Sequence, residues 1–118
     1  MNRRKVGSAY EKRAELFLKE QGLTIVCCNF RSRYGEIDIV ASDGETTVFV
    51  EVKYRRDGKL GLPEEAVDHR KQHRICRVAD YYRMLHGMGD FSPVRFDVVA
   101  ICGEKVSWFR NAFDYVER

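Results

Sequence analysis

Asp38, Glu51 and Lys53 stand in two short apolar runs, residues 35–41 (GEIDIVA) and 48–53 (VFVEVK), where a packed sheet would favour Val or Ile. Two carboxylates and an ammonium on neighbouring strands suit metal-assisted phosphodiester cleavage. Carboxylate oxygens hold a hard divalent cation, and the lysine steadies an attacking water or the charge developing on phosphorus. Strand alternation puts Phe49, Glu51 and Lys53 on one face and Val48, Val50 and Val52 on the other, with Glu51 and Lys53 roughly 6–7 Å apart. On the preceding run Ile37, Ile39 and Ala41 take one face, and Glu36, Asp38 and Val40 the other. Ser42-Asp43-Gly44-Glu45 has hairpin chemistry, so an antiparallel pair can bring Asp38 and Glu51 onto one face as neighbours. Half-exposed antiparallel strands also alternate apolar with charged residues, and an acid–lysine pair can be plain surface electrostatics. Phe49 on the charged face tips the balance, because it implies partial burial, and buried acids need partners or a metal.

The elements that must position these residues follow from periodicity and punctuation. Residues of about 7–21 have helical spacing, with Ala9, Ala14, Phe17 and Leu18 apolar and Gly22 as the C-terminal stop. Strands are expected near 24–31, 35–42 and 46–54. A charged, Gly-containing loop from Arg55 to Pro63 precedes a helix of about 64–86. Pro63, Glu64 and Glu65 suit its first turn, and Ala66, Val67, Ile75, Val78, Ala79, Tyr82 and Leu85 offer its packing stripe. Gly87 and Gly89 end it, and Val94 to Cys102 begins a final section of one or two strands. The expectation is an α/β fold in αβββαβ order, a mixed central sheet flanked by helices, as one domain over 1–118. No repeat, low-complexity segment or linker interrupts it.

Charge gives a weaker signal. A net +3 does not announce a nucleic-acid binder, so distribution matters more than the total. Arg31 and Arg33, the run Lys53-Tyr54-Arg55-Arg56, and Lys71 with Arg74 flank the acids, as phosphate contacts near a metal site would. Arg3 to Lys5 reads equally well as solvated surface. His69 and His73 have i, i+4 spacing, but Arg70, Lys71 and Arg74 around them oppose cation capture. Cys27, Cys28, Cys76 and Cys102 lack zinc-site spacing and read as reduced, packed thiols. Asp97, inside Arg95-Phe96-Asp97, reads as a structural partner of Arg95 or a helix lysine. No apolar run approaches the ~20 residues that span a membrane, and the basic start lacks a following apolar stretch. A cytoplasmic location is the expectation.

Gly7-Ser8-Ala9-Tyr10-Glu11-Lys12-Arg13-Ala14, Asn29-Phe30-Arg31, GEIDIVA, FVEVKYR, Lys71-Gln72-His73-Arg74-Ile75 and Arg95-Phe96-Asp97 together resemble the YraN family of small bacterial proteins. That family is similar to the PD-(D/E)xK nucleases and, among them, to archaeal Holliday junction resolvases. The resemblance implies a restriction-endonuclease-like core and a Mg²⁺- or Mn²⁺-dependent endonuclease acting on branched, junction or flap DNA. It assigns Asp38 to the first-strand acid, Glu51 and Lys53 to the (D/E)xK pair, and Glu11 to an acid on the first helix. Asp38, Glu51, Glu11 and the Val52 carbonyl would hold the metal. Ile37 stands where many members have proline. The implied partner is nucleic acid, DNA before RNA, and a junction-cutting version would be a homodimer. The competing function is a catalytically weak or inactive nucleic-acid-binding module.

Overall fold

The computed structural model describes residues 3–55 and 67–117, with side chains from Ala9 onward. Its order is α1 (Arg3–Glu20), β1 (Thr24–Ser32), β2 (Gly35–Asp43), β3 (Thr46–Tyr54), α2 (His69–Leu85), β4 (Val94–Cys102) and β5 (Lys105–Phe113). The strands form one mixed sheet in the order β1-β2-β3-β4-β5, antiparallel except for the β3–β4 pair. This is the α/β arrangement expected, extended by β5, and it is compatible with a restriction-endonuclease-like core. Among the described residues no helix is long and apolar enough to cross a membrane.

Each helix covers one face of the sheet. Ala14 and Leu18 of α1 pack with Ile39, Ala41, Val48, Val50, Val99 and Ile101. Ile75, Cys76, Val78, Ala79 and Tyr82 of α2 pack with Val40, Phe49, Phe96, Val98 and Phe113 on the other face. α1 stops at Gly22, whose φ of 97° favours glycine, while the Leu23 N–H donates to Leu18 O at 3.0 Å and Gly22 N–H to Lys19 O at 3.0 Å. That double bond satisfies the last carbonyls and turns Leu23 into the core beneath α1.

Two expectations need correction. α2 begins at His69 rather than near residue 64, because Asp68 caps it: its side chain accepts from the Lys71 N–H at 2.8 Å. Pro63 to Ala66 lie outside the described residues. Alternation puts Ile37 on the Ile39 and Ala41 face, yet it packs under α2 with Val40. In the β1–β2 register Cys28 lies opposite Ile39 and Phe30 opposite Ile37, so Asn29 falls opposite Asp38. Asn29 has φ 55°, a left-handed conformation that Asn tolerates and that breaks a strand's two-residue period. Beyond that break Phe30 packs on the α2 side with Ile37.

Three C-terminal aromatic residues serve this chain's own core, while Tyr115 is 42% exposed. Trp108 packs on the α1 side, while Phe109 and Phe113 pack under α2. Asp97 is fully buried and accepts from the Arg95 guanidinium (3.1 Å), Trp108 Nε1 (3.0 Å) and the Asn111 N–H (2.8 Å). That network satisfies a buried carboxylate internally and fits the structural reading of Asp97.

Candidate functional site

The β2–β3 ladder runs from Asp43↔Thr46 to Ile39↔Val50 and goes no further. Extended by one step, it would place Asp38 opposite Glu51. Instead the strands part, and Asp38 Oδ2 accepts the Val52 N–H at 2.8 Å. Because a strand residue's N–H and C=O point to the same side, the Val52 carbonyl faces this opening too. Side chains from both layers meet there. Glu11 reaches it from α1, and Lys71, Arg74, Ile75 and Val78 reach it from α2, around Gly35, Glu36, Asp38 and Glu51. The result is an open cleft of about 420 Å³.

Carboxylate oxygens of Glu11, Glu36 and Asp38 lie within 4.8 Å of one another. Opposite oxygens on one Mg²⁺ ion lie about 4.2 Å apart, so a side-chain shift of well under 1 Å draws this all-oxygen donor set onto a hard cation. The Asn29 amide, turned so that its nitrogen faces the acids, donates to Glu36 Oε1 (2.6 Å) and Glu11 Oε2 (3.1 Å). Glu51 is 7% exposed and its Oε1 pairs with Lys71 Nζ at 2.6 Å. Burial, reinforced by the charge of Glu51, pushes the Asp38 carboxyl up to about 8, against the opposing Val52 hydrogen bond. Burial also raises Glu11, with Glu36 and Glu51 adding to it against the Asn29 hydrogen bond. Four acids crowded this way favour protonation or a bound cation.

The structure therefore brings Glu11, Asp38 and Glu51 together and turns the Val52 backbone toward them. Lys53 is partly buried and does not line the cleft, where the ammonium present is Lys71. Among the described residues Lys53 makes no ion pair. Arg74 is exposed on the rim. Arg31 binds Glu36 at 3.1 Å, and Arg33 lies over the Tyr34 ring, 5.0 Å from its centre. Tyr54 stacks on Tyr10 of α1 with ring centres 4.0 Å apart, and the Arg55 N–H donates to Ile101 O at 2.9 Å. Arg56 lies outside the described residues. Glu36 is the residue that sequence reasoning did not select. Its signal was its place two positions before Asp38, on a strand already carrying an acid.

The cysteines are free, and Cys76 is buried with its sulfur accepting the Val116 N–H at 3.3 Å.

Comparison with known proteins is consistent across the chain. The model of the family described as "Uncharacterised protein family UPF0102" matches residues 10–101, from α1 to β4. A UPF0102 protein of Lachnoclostridium phytofermentans is 45% identical over 114 residues, covering 97% of each chain. UPF0102 protein YraN of Salmonella agona is 42% identical over 116 residues, 97% of this chain and 88% of that one. The matched stretch includes Glu11, Glu36, Asp38, Glu51 and Lys71, and the chain belongs to the UPF0102 family.

Proposed function

We propose that this protein is a metal-dependent endonuclease that hydrolyses phosphodiester bonds in structured DNA (branched, junction or flap), using Mg²⁺ or Mn²⁺. The observation that carries the reading is the set of crowded carboxylates at the parting of β2 and β3, with Lys71 and Arg74 beside them. Asp38, Glu51, Glu11 and the Val52 carbonyl would hold the cation, with Glu36 as a further oxygen donor. Bound there, it would polarise a phosphate oxygen and lower the pKa of a water. Arg74 and Lys71 draw the phosphate to a cleft that would otherwise repel it. Water attacks phosphorus as it gives a proton to a cleft carboxylate, the bond to the leaving sugar oxygen breaks, and that oxygen takes a proton from solvent water. Lys71, the ammonium already in the cleft, offsets charge on the phosphorane, and Lys53, on the Glu51 face of β3 but outside the cleft lining, joins it by turning toward the bound phosphate.

A second reading, a catalytically weak nucleic-acid-binding module, draws support from the Lys71–Glu51 pair, which neutralises one carboxylate without a metal. A cleavage screen over structured DNA and RNA with Mg²⁺ and Mn²⁺ separates the two, with Glu51→Ala as control. Cleavage by the parent chain and none by the variant is expected. Calorimetry should show Mn²⁺ binding that Asp38→Ala with Glu51→Ala removes, and equal binding by both proteins overturns the metal assignment.

A further inference from the structure

The surface between the β1–β2 turn and α2 does not end at the acid cleft. Gly35 lies against α2, where an added Cβ would stand 3.8 Å from Val78 Cγ2. Past that contact a second groove, of about 610 Å³, is lined by Arg33, Tyr34, Arg77, Asp80, Tyr81 and Met84. No residue of the proposed metal site belongs to it.

Its chemistry differs from that of the cleft. Tyr34 is 37% exposed and Met84 67% exposed, so a ring and a thioether meet solvent in a concave setting. Tyr81 is partly buried, its ring held 6.1 Å from that of Phe30. Arg33 is exposed and donates to Tyr34 Oη at 2.9 Å. Arg77 is 7% exposed, pairs with Asp80 at 3.2 Å, and has an Nη1 without a hydrogen-bond partner among the described residues. Aromatic faces interleaved with guanidinium groups stack on nucleobases of any sequence and attract the adjoining phosphates. A continuous duplex offers no free base face, because its bases are stacked on one another. Arg74 at the cleft and Tyr81 in the groove are seven residues apart on α2, about 10 Å along its axis. A short extended stretch of strand bridges that distance.

We infer that this groove takes an unstacked nucleobase from an unpaired strand segment adjoining the phosphate held at the acid cleft. The inference rests on the endonuclease reading and narrows its substrate to DNA with a flap, fork or gap. Arg33 meets the phosphate of the extruded nucleotide, while Tyr34, Tyr81 and Met84 form the slot for its base.

The test is fluorescence-anisotropy binding of forked DNA in Ca²⁺, with substrate integrity checked on a gel. One nucleotide of the unpaired arm at a time is made abasic. One or two adjacent abasic positions should weaken binding about 5- to 150-fold, and Tyr34→Ala with Tyr81→Leu should abolish that position dependence. Met84→Ala, at an exposed site, should reduce it and serves if the tyrosine variant does not fold. A scan that is flat in the parent chain, or unchanged in a folded variant, overturns the groove. Cleavage of junctions alongside a flat scan removes the groove alone. A position-dependent scan without cleavage by any metal retains the groove and removes the enzyme. The same scan on an RNA arm shows whether the slot also accepts a base carried on ribose.

Discussion

Asp38 sits where two demands conflict. Its carboxylate accepts the Val52 N–H, which favours the charged form, while burial and Glu51 push its pKa from the ordinary 3.8 up to about 8. Between those values the metal-free folded chain holds more protons than the unfolded one, so stability falls as pH rises from about 4 to about 8. Calorimetry in EDTA should show the melting temperature declining across that window, with Asp38→Asn removing most of the slope. Saturating Mn²⁺ should restore the high-pH value, since binding to the folded state alone stabilises it. The two lysines divide by position. Lys71→Met leaves the Glu51 carboxylate buried and unpaired, at a cost of about 1–3 kcal/mol in metal-free protein. Denaturant unfolding with and without Mn²⁺ should show that deficit shrinking when metal binds. Lys53→Ala touches no carboxylate ion pair among the described residues, so Mn²⁺ affinity should hold while most cleavage is lost. Full-rate cleavage by that variant removes Lys53 from the chemistry.

At the scale of elements, what was legible depended on how local each signal was. The β2–β3 hairpin was readable because Ser42-Asp43-Gly44-Glu45 offers a glycine free to take positive φ, and Gly44 has φ 61°, in the two-residue turn between Asp43 and Thr46. The stop of α1 was readable from Gly22 for the same reason. The start of α2 was not, since Pro63-Glu64-Glu65 and Asp68 are both valid helix openings in sequence; Asp68 caps the helix that begins at His69, and the earlier triplet lies outside the described residues. Asp68→Ala should cost about 1 kcal/mol, seen as a drop of a few degrees in melting temperature, and should loosen the turn carrying Lys71. The face of Ile37 was not legible either, because β2 itself departs from strict alternation, with Ile37 and Val40 three residues apart on the α2 side and Ile39 on the other, and no residue type there signals it. Asp38 and Glu51 could be paired from the hairpin register alone. Lys71 entered only as a phosphate contact, because its pairing with Glu51 spans a crossover that periodicity does not describe.

For the molecule as a whole, the proposed activity carries a requirement of symmetry. Two symmetric cuts in a four-way junction call for a C₂ dimer. Trp108, Phe109 and Phe113 are spent on this chain's own core, which leaves the β1 and β5 edges as the sheet's pairing surfaces. If the substrate is a junction, light scattering at micromolar concentration should give twice the monomer mass on that DNA. A monomer there assigns the protein to a single cut, the outcome that a flap or fork substrate calls for.

The Val52 amide, held by a side chain where its neighbours are held by the ladder, makes a natural spectroscopic reporter. In an ¹⁵N-correlated NMR spectrum its resonance should follow the ionisation of Asp38 and move again when Mg²⁺ arrives. Its deuterium exchange should quicken in Asp38→Ala while that of Val50, within the ladder, stays slow. One signal near the centre of the sheet can thus record proton, metal and fold without a label at the cleft.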